Sequence, residues 1–306
     1  MRKINLVILA LLFFSILKAQ PPQLNIYSIS NIDLPADLDK QVCISGVKFL
    51  NNRLYMASER CPKIIVLDPA TATITKTIEL QPPQEFEMEG LTSYKDKLYL
   101  ISENIAAVYE VTIATGAIRL VKTSNTLHPK SKDGDGMEGI AANEKSNKFY
   151  LLRERDENKT HSQIFTYSIE PGDKGAPISL KYESIIELPL ENPQWRYSDI
   201  CVDPVNSRLL CLKSYSKGKL RQQFIESIEF DESGKLLEAT LKNIPVENFS
   251  STSNKYKDQD YSMNLEGISI DENGNIFIIS DNTSGKAKCD LPAKEKTILL
   301  ELKKNK

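Results

Sequence analysis

Glu89, Glu138 and Glu266 are each followed by glycine, then by a short apolar stretch, a polar turn and a second stretch rich in Leu, Tyr, Phe and Ile. Those second stretches end on further carboxylates, Glu103, Glu154 and Asp281, and the related stretch from Cys43 ends on Glu59. If the copies occupy equivalent places in a fold, these seven carboxylates gather around one point. Like charges at short range repel strongly when poorly solvated, so such a ring calls for a counter-charge. One candidate is Ca²⁺, a hard cation that takes several oxygen ligands in flexible geometry. Another is internal pairing with Arg60, Arg153, Arg155 or Arg196, through bidentate arginine–carboxylate bonds. A third reading makes Glu-Gly a device of the repeat itself, the glutamate accepting backbone N–H bonds from its neighbour. The candidate metal set is Glu89, Glu138, Glu266, Glu103 and Asp281. Glu59, Glu154, His128, Arg153 and Tyr215 are candidates for contacting a bound ligand.

Other chemistry has less to stand on. The chain holds two histidines, His128 and His161, and no G-x-S-x-G elbow, so a nucleophile-and-base hydrolase is poorly supported. A hydrolase here would use metal-activated water with carboxylate help. Asp133-Gly134-Asp135-Gly136, directly before Glu138, offers two carboxylates across a turn but lacks the later glutamate of an EF-hand loop; a non-EF calcium site and a plain turn are the two readings. Trp195, the single tryptophan, stands beside Arg196 and Tyr197 and suits either a pocket wall or inter-repeat packing, the latter favoured.

The elements that must position these groups are strands. Five units align: from Cys43, Glu87, Gly136, Tyr197 and Asn264, the fourth being a degenerate copy with Ser198-Asp199 where Glu-Gly stands elsewhere. Turn residues such as Asn51-Asn52, Lys95-Asp96, Asp203 to Ser207 and Asp271 to Gly274 separate the first two strands of each unit. A third strand follows, KIIVLDPATAT in the first unit, then a fourth, ITKTIEL there and LLEATLKNI in the fourth unit. Four antiparallel strands repeated around a circle make a β-propeller. We expect an all-β, single-domain propeller of five blades, six being the alternative. The fifth unit ends at its third strand, and Gln23 to Ser30 is expected to supply the fourth and close the ring, which removes exposed edges. The polar loops Thr123 to Gly136 and Phe249 to Tyr261 are candidate binding loops beside the scaffold.

Glu89-Gly90, Glu138-Gly139 and Glu266-Gly267, with Ser102-Glu103 and Ser280-Asp281, resemble the SdiA-regulated family of bacterial β-propellers and the wider phytase-like group, described by an esterase-like activity of phytase, over roughly residues 40 to 302. The resemblance implies an exported propeller whose acidic channel mouth binds calcium; in phytase relatives such sites bring calcium to a phosphate ester. Similar Glu-Gly elements occur in calcium-dependent lactonase propellers. This chain shows five repeats where calcium phytases have six blades, and its fourth copy lacks Glu-Gly.

The ends bound the setting. Arg2 and Lys3 precede an apolar run from Ile4 to Leu17, followed by Lys18-Ala19-Gln20, the pattern of a signal peptide over residues 1–19, leaving a propeller domain over 20–306. The run is shorter than the ~20 residues of a membrane span, so no stable membrane insertion is expected. The formal net charge of the 306 residues is −2, and loss of Arg2, Lys3 and Lys18 makes it more negative, which argues against nucleic acid as a partner. Five cysteines in an exported chain leave at least one unpaired; Cys43–Cys61 and Cys201–Cys211 are candidate pairs, burial as small apolar residues the alternative. The expectation is a monomeric periplasmic or secreted propeller that binds a small molecule or protein at an acidic, calcium-binding or polar mouth. The alternative is a calcium-dependent hydrolase of phosphate or carboxylic (lactone) esters.

Overall fold

The computed structural model describes residues 27–32, 34–35, 38, 42–82, 87–132, 135–172, 175–218, 220–246, 261–282, 289 and 291–304. The expected leader over 1–19, Asp133 and Gly134, and nearly all of the loop from Phe249 lie outside these residues.

β1 (Tyr27–Ile32) precedes the repeats. The first unit is β2 (Ile44–Leu50), β3 (Arg53–Ser58), β4 (Lys63–Asp68) and β5 (Thr73–Glu79); the second is β6 (Met88–Tyr94), β7 (Lys97–Ser102), β8 (Ala107–Val111) and β9 (Ile118–Thr123). The third is β10 (Met137–Asn143), β11 (Lys148–Arg153), β12 (His161–Glu170) and β13 (Ser179–Pro189); the fourth is β14 (Trp195–Asp203), β15 (Arg208–Lys217), β16 (Leu220–Glu229) and β17 (Lys242–Ile244). The fifth is β18 (Asn264–Ile270), β19 (Ile276–Asp281) and β20 (Leu299–Lys304), completed by β1, which pairs antiparallel with β20 from Tyr27↔Lys304 to Ile32↔Leu299. A short parallel contact between β13 and β9 joins the second and third units into one eight-stranded sheet. The expected fourth strand LLEATLKNI is a strand only over Lys242–Ile244; Glu238–Thr240 is a 3-10 turn instead. Thr240 explains the difference, since its Oγ1 donates back to the Leu237 carbonyl at 2.6 Å while accepting from the Glu229 amide at 2.8 Å.

The ring is held by apolar faces between neighbouring units. Among the described residues there are five buried clusters, one per junction. Phe49 of the first unit stacks on Phe277 of the fifth at 5.5 Å, and Tyr150 of the third stacks on Phe230 of the fourth at 5.1 Å. Each fully buried Leu, Ile or Val contributes roughly 1.5–3 kcal/mol over its exposed state, so sealing both ends of a repeat array against each other is a large gain. The inner strands β2, β6, β10, β14 and β18 neighbour one another in that order, and β18 returns to β2. At the far end of each first strand, the turn is set by left-handed residues; Asn51 and Asn52 carry φ of 50° and 58°, the two consecutive positive values that a two-residue hairpin of matching twist requires.

Glu-Gly acquires a geometric meaning here. In every unit the pairing of first and second strands slips at this point: past Ser45, Glu89, Glu138, Ser198 and Glu266. Each of these residues is the extra residue of a β-bulge, which re-aims a side chain that regular alternation would turn into the blade. The following glycine sits where inner strands approach most closely. A Cβ on Gly90 would lie 2.6 Å from the Ile140 amide nitrogen, and one on Gly267 would lie 2.7 Å from the Ser45 carbonyl oxygen. Gly90→Ala is therefore expected to lower stability by about 1–3 kcal/mol, the scale of overpacking, read as a reduced midpoint in urea; an unchanged midpoint would show that the strands can part at no cost. Asp199 takes the glycine's place in the fourth unit and accepts from the Ile268 amide at 2.9 Å, tying the fourth unit to the fifth.

The cysteine expectations are corrected. Cys61 is bonded to Cys289, with Cα atoms 5.6 Å apart, while Cys43, Cys201 and Cys211 are buried. Cys201–Cys211 fails on register: Cys211 stands opposite Ile200, so the two cysteines are offset by one residue and face opposite sides of the sheet. Cys61 instead follows β3 and meets the β19–β20 connection, two segments far apart in sequence.

Candidate functional site

The bulged residues and the ends of the second strands meet. The amides of Glu59, Glu103 and Glu154 bond to the carbonyls of Cys43, Glu87 and Gly136, just upstream of the first strands, and Asp281 stands opposite Asn264 at the end of β19. All seven carboxylates, Glu59, Glu89, Glu103, Glu138, Glu154, Glu266 and Asp281, line one cavity of about 280 Å³ at the channel mouth, together with Ser45, Asn264, Lys130, Arg155 and Arg196. Apart from half-buried Glu59, these carboxylates are buried.

The counter-charges are unevenly shared. Arg196 bridges Glu154 at 2.7 Å and Glu266 at 2.6 Å, and donates to Asn264 at 3.0 Å. It comes from the degenerate fourth unit, whose Ser198 and Asp199 are used for packing between blades. That unit therefore supplies the mouth with a cation where the others supply acids. Arg60 holds Glu59 and Glu87, each at 2.7 Å. Lys130 reaches Glu87 at 2.8 Å and also bonds Glu103. Arg155 pairs with Asp135 and stands 3.5 Å from Glu154. Glu89 receives the Ser45 hydroxyl at 2.5 Å, and among the described residues neither it nor Glu138 is bonded to a cation.

Protons must stand in for the missing cations. Glu138 lies close to Glu103, and Glu154 to Asp135, and carboxyl groups so near one another favour holding a proton on one of the pair. Burial pushes Glu89 and Glu138 well above the usual carboxylate range, and the neighbouring glutamates push them in the same direction. Burial raises Glu59 and Glu154 to about 7, against the pull of Arg60 and Arg196. A carboxyl whose folded pKa is raised contributes stability below its unfolded pKa, and loses it as pH rises through the folded value. Without added cations, the protein is thus expected to be more stable near pH 5 than near pH 8, most of the decline falling between the ordinary glutamate value and about 7. Thermal unfolding across pH in a chelator checks this; a midpoint that climbs with pH would contradict it.

For a metal, the donors are of the right kind. The oxygens are hard, and among the described residues Glu103 Oε1 and Glu266 Oε2 are buried with no donor of their own, as suits Ca²⁺. Among the described residues, however, no three acid or imidazole groups converge closely enough to hold an ion as they stand. The residues fit calcium in chemistry, and gathering them around it would take side-chain rotation.

Three residues named from the sequence lie apart from the cavity's lining. Arg153 is buried and bonds Glu157 at 2.8 Å and Gln163 at 3.3 Å. His128 packs on Phe165 at 5.4 Å, and burial, aided by Arg153, lowers its pKa. Tyr215 packs against Trp195 at 5.0 Å, and Trp195 also meets Phe224, so the tryptophan is a packing residue. Sequence reasoning missed Lys130 and Glu87. The one available signal for Lys130 was its place in the polar loop that precedes Gly136.

A family model described as "Phytase-like: Esterase-like activity of phytase" matches residues 44–283. No curated protein matches the chain. Among solved structures, glutaminyl cyclase of Myxococcus xanthus is similar at 12% identity and TM-score 0.51, covering 92% of this chain and 98% of that one. A glucose dehydrogenase-like putative oxidoreductase of Thermus thermophilus aligns at 10% identity and TM-score 0.46, covering 90% and 99%. A gluconolactonase of Xanthomonas campestris aligns at 15% identity and TM-score 0.43, covering 83% and 69%.

Proposed function

The chain belongs to the phytase-like family, and from that premise and the charge at its mouth we propose that it is an exported propeller whose mouth binds calcium together with a small ligand. The observation that carries this reading is the imbalance in one 280 Å³ cavity: seven carboxylates against Lys130, Arg155 and Arg196. A divalent cation would displace the protons held there and satisfy Glu103 Oε1 and Glu266 Oε2. Glu89, Glu138, Glu266, Glu103 and Asp281 would hold it. The test is thermal unfolding with calcium and with chelator. A midpoint rise that follows calcium concentration is expected, because a ligand of the native state stabilises it by mass action. No rise at millimolar calcium would sink the reading.

A second reading, ester hydrolysis, is favoured by Glu59 and Glu154, whose carboxyls are brought to about 7. Groups poised near neutrality suit general acid–base work. Bound calcium would polarise the phosphoryl or carbonyl oxygen of an ester. Glu154, held in place by Arg196, would take a proton from the attacking water, while Lys130 and Arg155 would orient a negative substrate group. Phosphomonoester and lactone substrates, assayed with calcium, distinguish binder from enzyme; turnover that survives Glu154→Gln would remove this residue as the base.

A further inference from the structure

The channel has a second cavity, of about 410 Å³, at the end opposite the acidic mouth. Phe49, Leu50, Ala142, Val202 and Ile270 give it apolar walls, and Lys48 of β2 reaches into it. Its volume is that of a site for a small organic molecule. Among the described residues, Lys48 Nζ has neither a hydrogen-bond nor an ion-pair partner. Lys48 is half-buried, and by contrast the buried Lys213 is held, 2.9 Å from Glu191 and 3.4 Å from Glu226.

We propose that this cavity is a second site in which the Lys48 amine captures small neutral carbonyl compounds with apolar tails as an imine. Charge around the cavity selects against simple anion binding. Glu144 and Glu272 approach from the turns of the third and fifth units, Asp203 and Asp271 line the wall, and Lys145 is the other cation. Among the described residues none of these carboxylates forms an ion pair with Lys48, although Glu144 and Glu272 favour its charged form. Glu144 accepts the Lys95 amide at 2.7 Å, Asp203 is paired with Arg208 at 2.9 Å, and Asp271 accepts the amides of its own turn. Burial lowers the amine's pKa, opposed by Cys201 of β14, Glu144 and Glu272, and a lysine that is neutral more of the time is a better nucleophile. In the step itself the Nζ lone pair attacks the carbonyl carbon and a C–N bond forms. The carbonyl oxygen then leaves as water, carrying the two amine protons, and a C=N bond remains. No oxidant or cofactor is needed.

The experiment treats the whole chain with butanal and cyanoborohydride near pH 7.5 and maps alkylated lysines by peptide mass. Lys48 is expected to react at least about ten-fold faster than Lys242, an exposed lysine, with the advantage shrinking toward pH ~10 as ordinary lysines lose their protons. Lys48→Met is expected to abolish the fast site and keep the unfolding midpoint. Lys48 reacting no faster than Lys242, or a fast phase that persists in Lys48→Met, would overturn the proposal. Should that variant not fold, mapping on the unsubstituted chain decides alone. Calcium at the mouth is expected to leave the labelling unchanged, so this site stands or falls separately from the mouth.

Discussion

Replacing Arg196 by methionine is expected to destabilise the protein by about 3–5 kcal/mol at neutral pH, the scale for removing one member of a buried charge network. The guanidinium bonds Glu154, Glu266 and Asn264 at once, and these groups come from the two blades that flank its own, the third and the fifth. Its loss leaves two buried carboxylates facing one another across the mouth with little else to balance them. Methionine fills similar volume, so a packing loss would be small and independent of pH. The electrostatic loss is not: near pH 5, where the mouth acids can hold protons, the penalty should shrink, and saturating calcium should recover part of it. Urea unfolding of both proteins at the two pH values checks this. A penalty of equal size at both would show that Arg196 acts through packing instead.

Glu138→Gln separates the roles of the carboxylate ring. Glu138 is buried close to Glu103 and, among the described residues, bonded to no cation, and burial with its neighbours' charge raises its pKa. Its stabilising contribution is therefore present at low pH and lost as pH rises through the raised value. In chelator near pH 8, the amide should raise the unfolding midpoint, because nothing has to stay protonated or repel. With calcium the order should reverse. A ligand at a hundred times its dissociation constant adds about 2.7 kcal/mol to the unsubstituted protein, and the variant should lose most of that gain. Calcium titrations followed by unfolding midpoint read both effects; a variant that keeps the full calcium shift would take Glu138 out of the metal set.

Much of this molecule was legible from its chain. The repeat of Glu-Gly, apolar strand, turn and aromatic strand predicted an all-β propeller, and β1 on β20 closes the ring as expected. The spacing of Glu89 and Glu103, of Glu138 and Glu154, and of Glu266 and Asp281 was enough to put these carboxylates together. The reason is that a hairpin returns the chain to where it started: the end of the second strand is bound to lie beside the start of the first. Such local pairing is determined by sequence alone.

What the tertiary structure decided lies between units. That glycine follows each mouth glutamate because backbones of adjacent blades nearly touch depends on the ring's radius, which no single repeat encodes. The pairing of Cys61 with Cys289 and the reach of Lys130 to Glu87 and Glu103 depend on loops of different length arriving at one rim. Arg196, one of several arginines near the ring in sequence, became its central cation because the fourth unit turns it across to its neighbours, while Arg153, equally close along the chain, points to Glu157. Sequence determined which groups each blade carries to its ends; closure of the ring decided which of them face one another, because charge pairing and burial act through distance in space.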